Sequence, residues 1–557
     1  MTTEKQIKYT HMKIMKTYKI MFVAAGILSL SSCMNKLDLY PTNQFTEENY
    51  WTNSQKAQSF LNDAYHNMAD AEKYFYNEAL SDNAVNLRGD VQGAASIASG
   101  VADAGHGRFS NEWFRRYQSI RNANMLLENI DKVPNMDEAL KERMKAEARF
   151  IRAFAYFHLA TWFGDVPLFN TVISFNDSKT ISRSPHQQVI SFVLSELDAI
   201  ESTLPVQYPQ NERGKITRGA VIGMKARVHL LESNWQQVIA ETEKLITSTA
   251  NGAYSLFPSY AGLFEEANEF NSEVIFDFQY VQPNVSYNMF FDIAPLSVGA
   301  RLNSLAPTQE LVDSYLMMNG KRITDPASGY NENEPYVNRD PRLTATVVYH
   351  GYQWQRPDGS FKTIYTRPGT DPVRDENGNA ADEYRPGSSS SPTGYYFRKY
   401  YDLNSGTNFR SGLNLIIIRY ADILLMYAEA KNELGQMTEE VWNKTIRAIR
   451  QRAGFTAAEA LNFNAALSNA QIREIIRNER RTELVLESLR IFDIKRWRIA
   501  GQVLNGWVHG AKFGPASVDN GYLRVQQRVF DPAKHYLWPI PRQERNINPN
   551  LTQNPNW

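Results

Sequence analysis

The segment "ERMKAEARFIRAFAYFHLATWFGDVPLF" at residues 142–169 limits the fold more than any other stretch of the chain. Met144, Ala148, Ile151, Ala155 and Leu159 recur at three- and four-residue steps, and Phe150, Phe154 and Phe157 widen that stripe. A helix apolar over so broad an arc must pack against more than one neighbour. Gly164 and Pro167 end it. Further segments of helical period surround it: one opened by possible caps at Thr52, Asn53 and Ser54, then "WFRRYQSIRNANMLLENI", "PHQQVISFVLSELDAIESTL", "TRGAVIGMKARVHLLES" and "NWQQVIAETEKLI". Trp113 sits in register with Tyr117 and Ile120 and reads as core. Small residues at Ala220, Gly223 and Ala226 let helices approach closely, as in stacked helical hairpins, although the ~34-residue tetratricopeptide period does not fit cleanly.

The middle changes character. "NSEVIFDFQYV" reads as a strand, and residues 351–412 carry repeated turn signals, among them "PDG" at 357–359, "NG" at 377–378 and "RPGSSSSPTG" from 385. Aromatic residues are too frequent there for a disordered linker, so ordered loops are expected. Helices are expected again at "LIIIRYADILLMYAEAKNELG", "EVWNKTIRAIRQRAG" and "AQIREIIRNERRTELVLESLRIFDIKRW". The closing "HYLWPIPRQERNINPNLTQNPNW" is too rich in proline and asparagine for helix and is expected to run extended over the body.

A length of 557 residues, 43% hydrophobic and 22% charged, allows a large folded body. Lysine plus arginine equals aspartate plus glutamate at 60 each, without a long basic tract, which argues against a nucleic-acid partner. A single cysteine excludes a disulfide framework and zinc sites built on several thiolates. That cysteine, Cys33, follows Lys13, Lys16, Lys19 and an apolar run at 20–30 that is shorter than the ~20 residues a membrane helix needs. The arrangement has a signal-peptide shape, and Met12 is a second candidate start. The sequence "LSSC" ending at Cys33 is similar to a bacterial lipobox, in which the thiol takes a diacylglycerol and becomes the first mature residue. The expected organisation is a signal peptide at 1–32, a lipidated tether at 33–50, a helical part at 51–270, and a second part at 271–557 whose residues 271–412 are loop-rich, all packed as one body.

Five groups of residues, in order along the chain, carry a family resemblance: Leu39, Pro41 and Phe45 in the tether; "EARFIR" at 147–152 running into "FGDVP" at 163–167; Arg339, Asp340, Pro341 and Arg342; "RYA" at 419–421 with "YAEA" at 427–430; and Glu479, Arg480, Glu483, Glu487, Arg490 and Asp493 leading to "WPIP" at 538–541. The set resembles the outer-membrane lipoproteins of Bacteroidetes typified by SusD and RagB. The resemblance implies an all-α-dominated fold of four tetratricopeptide-like hairpins with an irregular second half and little β structure. It implies no enzyme activity and no cofactor. The implied role is a lipid-anchored, cell-surface lid on a SusC-type TonB-dependent transporter that binds oligosaccharide or another nutrient for import. Residues 34–38, "MNKLD", depart from the acidic export signal of such lipoproteins, which leaves the exposed face of the membrane open.

Sugar binding needs flat aromatic faces for the C–H side of the ring and planar polar groups for its hydroxyls. The two glycine-bearing loop regions offer both, with Asn83, Asn86, Arg88 and Asp90 in the first and Tyr287, Phe290, Phe291, Tyr352, Trp354 and Tyr365 in or near the second. A helical scaffold that clamps the transporter with little ligand affinity of its own is the alternative. A glycoside hydrolase is the third reading, because Glu479, Glu483 and Glu487 stand two helical steps of four apart and would share one face. Nearby Arg480, Arg490 and Arg496 favour a paired, structural role for them. "DPVRDENGNAADE" fails the calcium-loop pattern, with Val373 and Tyr384 where carboxylates are required. His106 has no second ligand at metal spacing.

Overall fold

The computed structural model describes residues 50–557; the signal peptide, Cys33 and the tether residues Leu39, Pro41 and Phe45 lie outside the described residues. Helix α1 (Ser54–Met68) begins where Asn53 accepts a hydrogen bond from the Lys56 amide at 2.9 Å. Helices α2 (Gly107–Asn129) and α3 (Glu138–Phe163) form a long antiparallel hairpin. The broad apolar arc of α3 is used on several sides at once, against α1, α2 and α4 (His186–Ile200). Gly164, at φ 72°, ends it in a backbone region that a side chain would strain.

Helices α5 (Arg218–Leu231) and α6 (Trp235–Ile246) make a second hairpin, and α6 packs on α7 (Tyr420–Glu433), which packs on α8 (Asn469–Glu483). Gly223 lets α5 lie close to the strand at 415–419: a Cβ there would stand 3.0 Å from Cγ2 of Ile418. Strands are few and pair two by two, antiparallel throughout the described residues. They are β1 (Ala84–Asn86) with β3 (Leu305–Pro307), β2 (Val274–Phe278) with β6 (Leu415–Arg419), β4 (Tyr352–Gln355) with β5 (Phe361–Ile364), and β7 (Gly506–His509) with β8 (Arg524–Arg528), besides a short pair of Val347–Val348 with Tyr396–Phe397. The fold is thus mostly paired helices with little β structure. Its main apolar cluster runs without interruption from Trp51 to Leu551.

Four local expectations are corrected. The run "LIII" is strand, and the helix starts only at Tyr420; three consecutive isoleucines suit a pleated surface, and β2 supplies the partner. Residues 81–111, whose repeated glycines read as one long loop, give way to helix already at Gly107, where His106 caps α2 by accepting from the Arg108 amide at 3.2 Å. The expected helix through "RNERRTELVLESLRIFDIKRW" breaks into α8 and α9 (Arg490–Arg496), with Leu486 at φ 61° and Ser488 at φ 64° between them. Glu487 therefore does not lie on the helix face of Glu479 and Glu483. The C-terminal tail contains a six-residue helix, Arg542–Ile547, started by Pro541, while Trp538 anchors the tail by stacking on Trp162 at 3.8 Å and 13°.

The carboxylates around this break form a buried ion network instead of a catalytic pair. Glu483 Oε2 accepts from Arg342 at 2.8 Å, and its Oε1 from Arg419 at 2.7 Å and from Arg452. Glu479 pairs with Arg342 at 2.7 Å and Arg450 at 2.8 Å, and Glu487 with Arg419 at 2.8 Å and Lys399 at 2.6 Å. Asp340 caps the short helix Pro341–Thr346 and pairs with Arg342 at 2.7 Å. Arg339 donates to the carbonyls of Val312 and Tyr315 at 2.6 and 2.8 Å. Arg480 and Arg496 share Asp493, and Arg490 reaches back to Asp82 at 2.8 Å. Burial alone would raise Glu483, but the Arg452, Arg419 and Arg342 guanidiniums outweigh it and hold the carboxyl well below the ordinary carboxylate range.

Candidate ligand-binding face

The two loop regions singled out in the sequence meet in space. β1 pairs with β3 in the register Asn86↔Leu305, which carries the first loop onto the second. Asn86 donates to the Ser304 carbonyl at 2.7 Å and to the Arg88 carbonyl at 2.9 Å, closing the turn at Gly89, φ 78°. Arg88 then donates to the carbonyls of Asn303, at 2.6 Å, and Ser388. One guanidinium thus clasps segments 215 and 300 residues away in sequence. Asp90, exposed, accepts from the amides of Ala95 and Ser96 at 2.9 and 3.0 Å and orders the loop before α2.

Around this clasp lie Phe291, half-buried, and Arg301, whose guanidinium sits 5.4 Å from the Phe291 ring centroid and is held bidentately by Asp292 at 2.9 and 2.6 Å. The β4–β5 hairpin closes the same side: Lys362 donates to the Ser297 carbonyl at 3.2 Å, and the Ser297 amide donates to Asp382 at 3.1 Å. Tyr365, half-buried just beyond β5, lies against His350 with ring centroids 5.9 Å apart. The loops therefore offer a ring with a guanidinium beside it and, from the hairpin, an ammonium, on a frame of backbone hydrogen bonds. They have no nucleophile with an adjacent base. Groups of this kind are able to pack on and hydrogen-bond a polar ligand without a covalent step.

Several expected ligand contacts are anchors instead. Trp354 is fully buried, 4.5 Å from Tyr401 and under the Arg398 guanidinium at 5.4 Å, because it alternates inward on β4. Tyr352 points the same way and packs edge-on to Tyr349. Phe290 and Tyr287 both pack on Phe75 under the loop. Asn83 is buried between Glu78 and Arg481 at 2.7 and 2.8 Å, and Asn86 is spent on the turn. Arg88, Asp90, Phe291 and Tyr365 keep solvent access. Arg301 and Lys362 were not marked by the sequence reading; the local signal for Arg301 is the turn glycine Gly299, φ 110°, two residues before it.

One further titratable cluster lies inside the helical body. A cavity of about 120 Å³ is lined by Lys73, Glu112, Phe154, His158, Arg227 and Phe492, and burial depresses the His158 imidazole well below its ordinary range. In the "DENGN" turn, Asp375 accepts from the Asn377 and Asn379 amides at 2.9 and 2.7 Å. Among the described residues no group of three or more histidine, cysteine, aspartate or glutamate side chains could hold a metal ion.

Comparison with known proteins agrees with this architecture. The model described as "SusD family" matches residues 272–557, and one described as "Starch-binding associating with outer membrane" matches residues 30–230. The chain belongs to the SusD family. A SusD-like protein of Formosa agariphila is 26% identical over 97% of this chain and 99% of its own. A SusD-like carbohydrate-binding protein of Bacteroides fragilis, solved as a crystal structure, superposes with a TM-score of 0.79 at 27% identity, covering 90% of this chain and all of that one. A laminarin-binding SusD-like protein superposes with a TM-score of 0.67 at 21% identity, over 91% of this chain and all of that one. SusD proteins are binding proteins, not enzymes, and this chain shares their family-level role of carbohydrate binding at the outer membrane. Among the described residues no helix is long and apolar enough to cross a membrane.

Proposed function

We propose that this SusD-family protein captures an oligosaccharide on the loop face around Arg88 and passes it to a SusC-type TonB-dependent transporter, tethered to the outer membrane by lipid on Cys33. The observation that carries the reading is the clasp: Arg88 ties the Asn303 segment, which follows Phe291 and Arg301, to the Ser388 loop. A rigid frame lowers the ordering cost of binding. The ring-and-guanidinium pair suits a pyranose, whose C–H face packs on Phe291 while its hydroxyls bond to Arg301 and Lys362. The expected result is that Phe291→Ala and Arg301→Ala each weaken oligosaccharide binding at least tenfold in calorimetry, with no release of reducing ends by the parent. Unchanged affinity in both variants overturns this placement of the site. For the anchor, labelling with a palmitate analogue should be lost in Cys33→Ala.

A second reading, a transporter-associated helical scaffold with little ligand affinity of its own, is favoured by the burial of Trp354, Tyr287 and Phe290, which removes three rings from the surface. It predicts co-purification with a TonB-dependent receptor and no measurable oligosaccharide binding by the isolated chain.

A further inference from the structure

His509 closes β7, and its ring stands between two carboxylates carried by different elements. Nδ1 lies 2.7 Å from Oε1 of Glu310, on the short helix Gln309–Ser314, and Nε2 lies 3.0 Å from Oδ2 of Asp519, in the turn Asp519–Gly521. Only an imidazolium donates from both nitrogens; a neutral ring keeps one N–H and aims a lone pair at the other carboxylate. Desolvation works against the charged ring, but the hydrogen bonds to Glu310 and Asp519 outweigh it and raise His509 above the ordinary histidine value.

The two contacts are not equivalent. Glu310 also accepts the His509 backbone amide, at 3.0 and 3.3 Å, and feels the guanidiniums of Arg481 on α8 and Arg528 on β8. Asp519 is shared with Arg524, which holds it from β8 at 2.6 and 2.9 Å. The other titratable groups around the ring are Tyr522, with centroids 6.5 Å apart, Lys512, 5.7 Å from the Tyr522 ring and paired with Glu332, and Asp313, bonded by Gln309 at 2.7 Å. The turn is also strained, because Asp519 at φ 45° and Asn520 at φ 55° are non-glycine residues in the left-handed region. It belongs to the 510–523 segment between β7 and β8, which is closed by the Gly514 amide on the Gly521 carbonyl at 2.8 Å. That segment in turn gives the Ala511 amide to the Thr393 carbonyl at 2.7 Å.

We propose that His509 is a proton-operated latch: as imidazolium it ties the turn Asp519–Gly521 to the helix Gln309–Ser314, and as neutral imidazole it keeps Glu310 and lets go of Asp519. Release lets the strained turn relax and loosens the 510–523 segment against Thr393. A histidine raised in the folded state contributes in full below its unfolded pKa of about 6.5 and loses that contribution as pH climbs through the folded value. The latch is therefore shut in mild acid and open in base.

The test is hydrogen exchange of the purified mature chain, read by mass spectrometry at about pH 6 and about pH 9 and corrected for the intrinsic pH dependence of exchange. The amides of Gly514, Gly521 and Tyr522, all bonded within the segment, report on it. Their protection is expected to fall at least tenfold at the higher pH, with peptides of α3 as the unchanged reference. His509→Gln, uncharged at both pH values, should show the low protection at both. If that variant does not fold, Asp519→Asn, on a partly exposed turn, should flatten the pH response in the same way. A parent with equal protection at both pH values overturns the proposal, and so does a His509→Gln or Asp519→Asn chain that keeps the parent's step, since another group would then be titrating.

Discussion

Glu483→Gln tests the ion network at the α8–α9 break. The side chain is fully buried and receives three guanidiniums, from Arg342, Arg419 and Arg452. Within this cluster the cations Arg342, Lys399, Arg419, Arg450 and Arg452 face the anions Glu273, Asp340, Glu479, Glu483 and Glu487, five against five. Glutamine preserves volume but leaves one buried positive charge unbalanced and turns an amide N–H toward guanidinium donors. Breaking a buried pair from one side costs about 3–5 kcal/mol. Unfolding entropy of about 2.1 cal/mol/K per residue over 557 residues gives about 1.2 kcal/mol/K, so the melting temperature should fall about 3–4 °C if the chain unfolds as one unit. Urea titration followed by circular dichroism measures the same loss at fixed temperature. Adding Arg452→Met restores the balance of charge, and the double variant should be more stable than the sum of the two single losses by at least about 1 kcal/mol. The sign of the pH effect also follows. A carboxyl held below its unfolded pKa stabilises fully above that value, and the contribution fades as pH falls through the folded one, so the deficit of Glu483→Gln should shrink in acid. A loss under about 1 kcal/mol, or strict additivity, would mean that these pairs behave like solvated surface pairs and would falsify the network reading.

Two other perturbations have clear outcomes. Asp277 is buried and burial raises it to about 7, against the hydrogen bonds from Gln279 and Asn414. A raised carboxyl contributes most below its unfolded pKa and loses that contribution as pH climbs through the folded value. Asp277→Asn should thus melt near the parent at pH 5 and above it at pH 8, and equal melting temperatures at both pH values would contradict the assignment. Trp354→Ala should cost about 3–5 kcal/mol, as for large buried aromatics, whereas Phe291→Ala, half-exposed, should cost less than about 1 kcal/mol. Thermal denaturation of the two variants side by side separates anchor from surface.

Helices were legible wherever one face had to be buried. The arc from Met144 to Leu159 announced several neighbours, and α1, α2 and α4 are there. Misreadings occurred where a distant partner overrode local pattern. Residues 415–419 fit a helical run in isolation, yet β2, some 140 residues earlier in the chain, takes them as a strand. The step-of-four spacing of Glu479, Glu483 and Glu487 suggested one helix, but positive φ at Leu486 turns the chain between the last two, and Arg419 still gathers both carboxylates.

The candidate face was legible only as a pair of loops, and the reason is chemical. Aromatic rings, amides and guanidiniums are the groups that hold sugars, and they are also the groups that pin long loops to a core. Composition cannot distinguish the two uses; burial does. Alternation on β4 sends Tyr352 and Trp354 inward together, so the aromatic density that suggested a sugar platform mostly builds its floor. What remains outside is set by Arg88, whose partners Asn303 and Ser388 lie far off in sequence, and by Arg301, whose place over Phe291 depends on Asp292. At the proposed site, ligand preference would then be set by the short exposed turns around Arg88 and Arg301 and not by the buried rings beneath them.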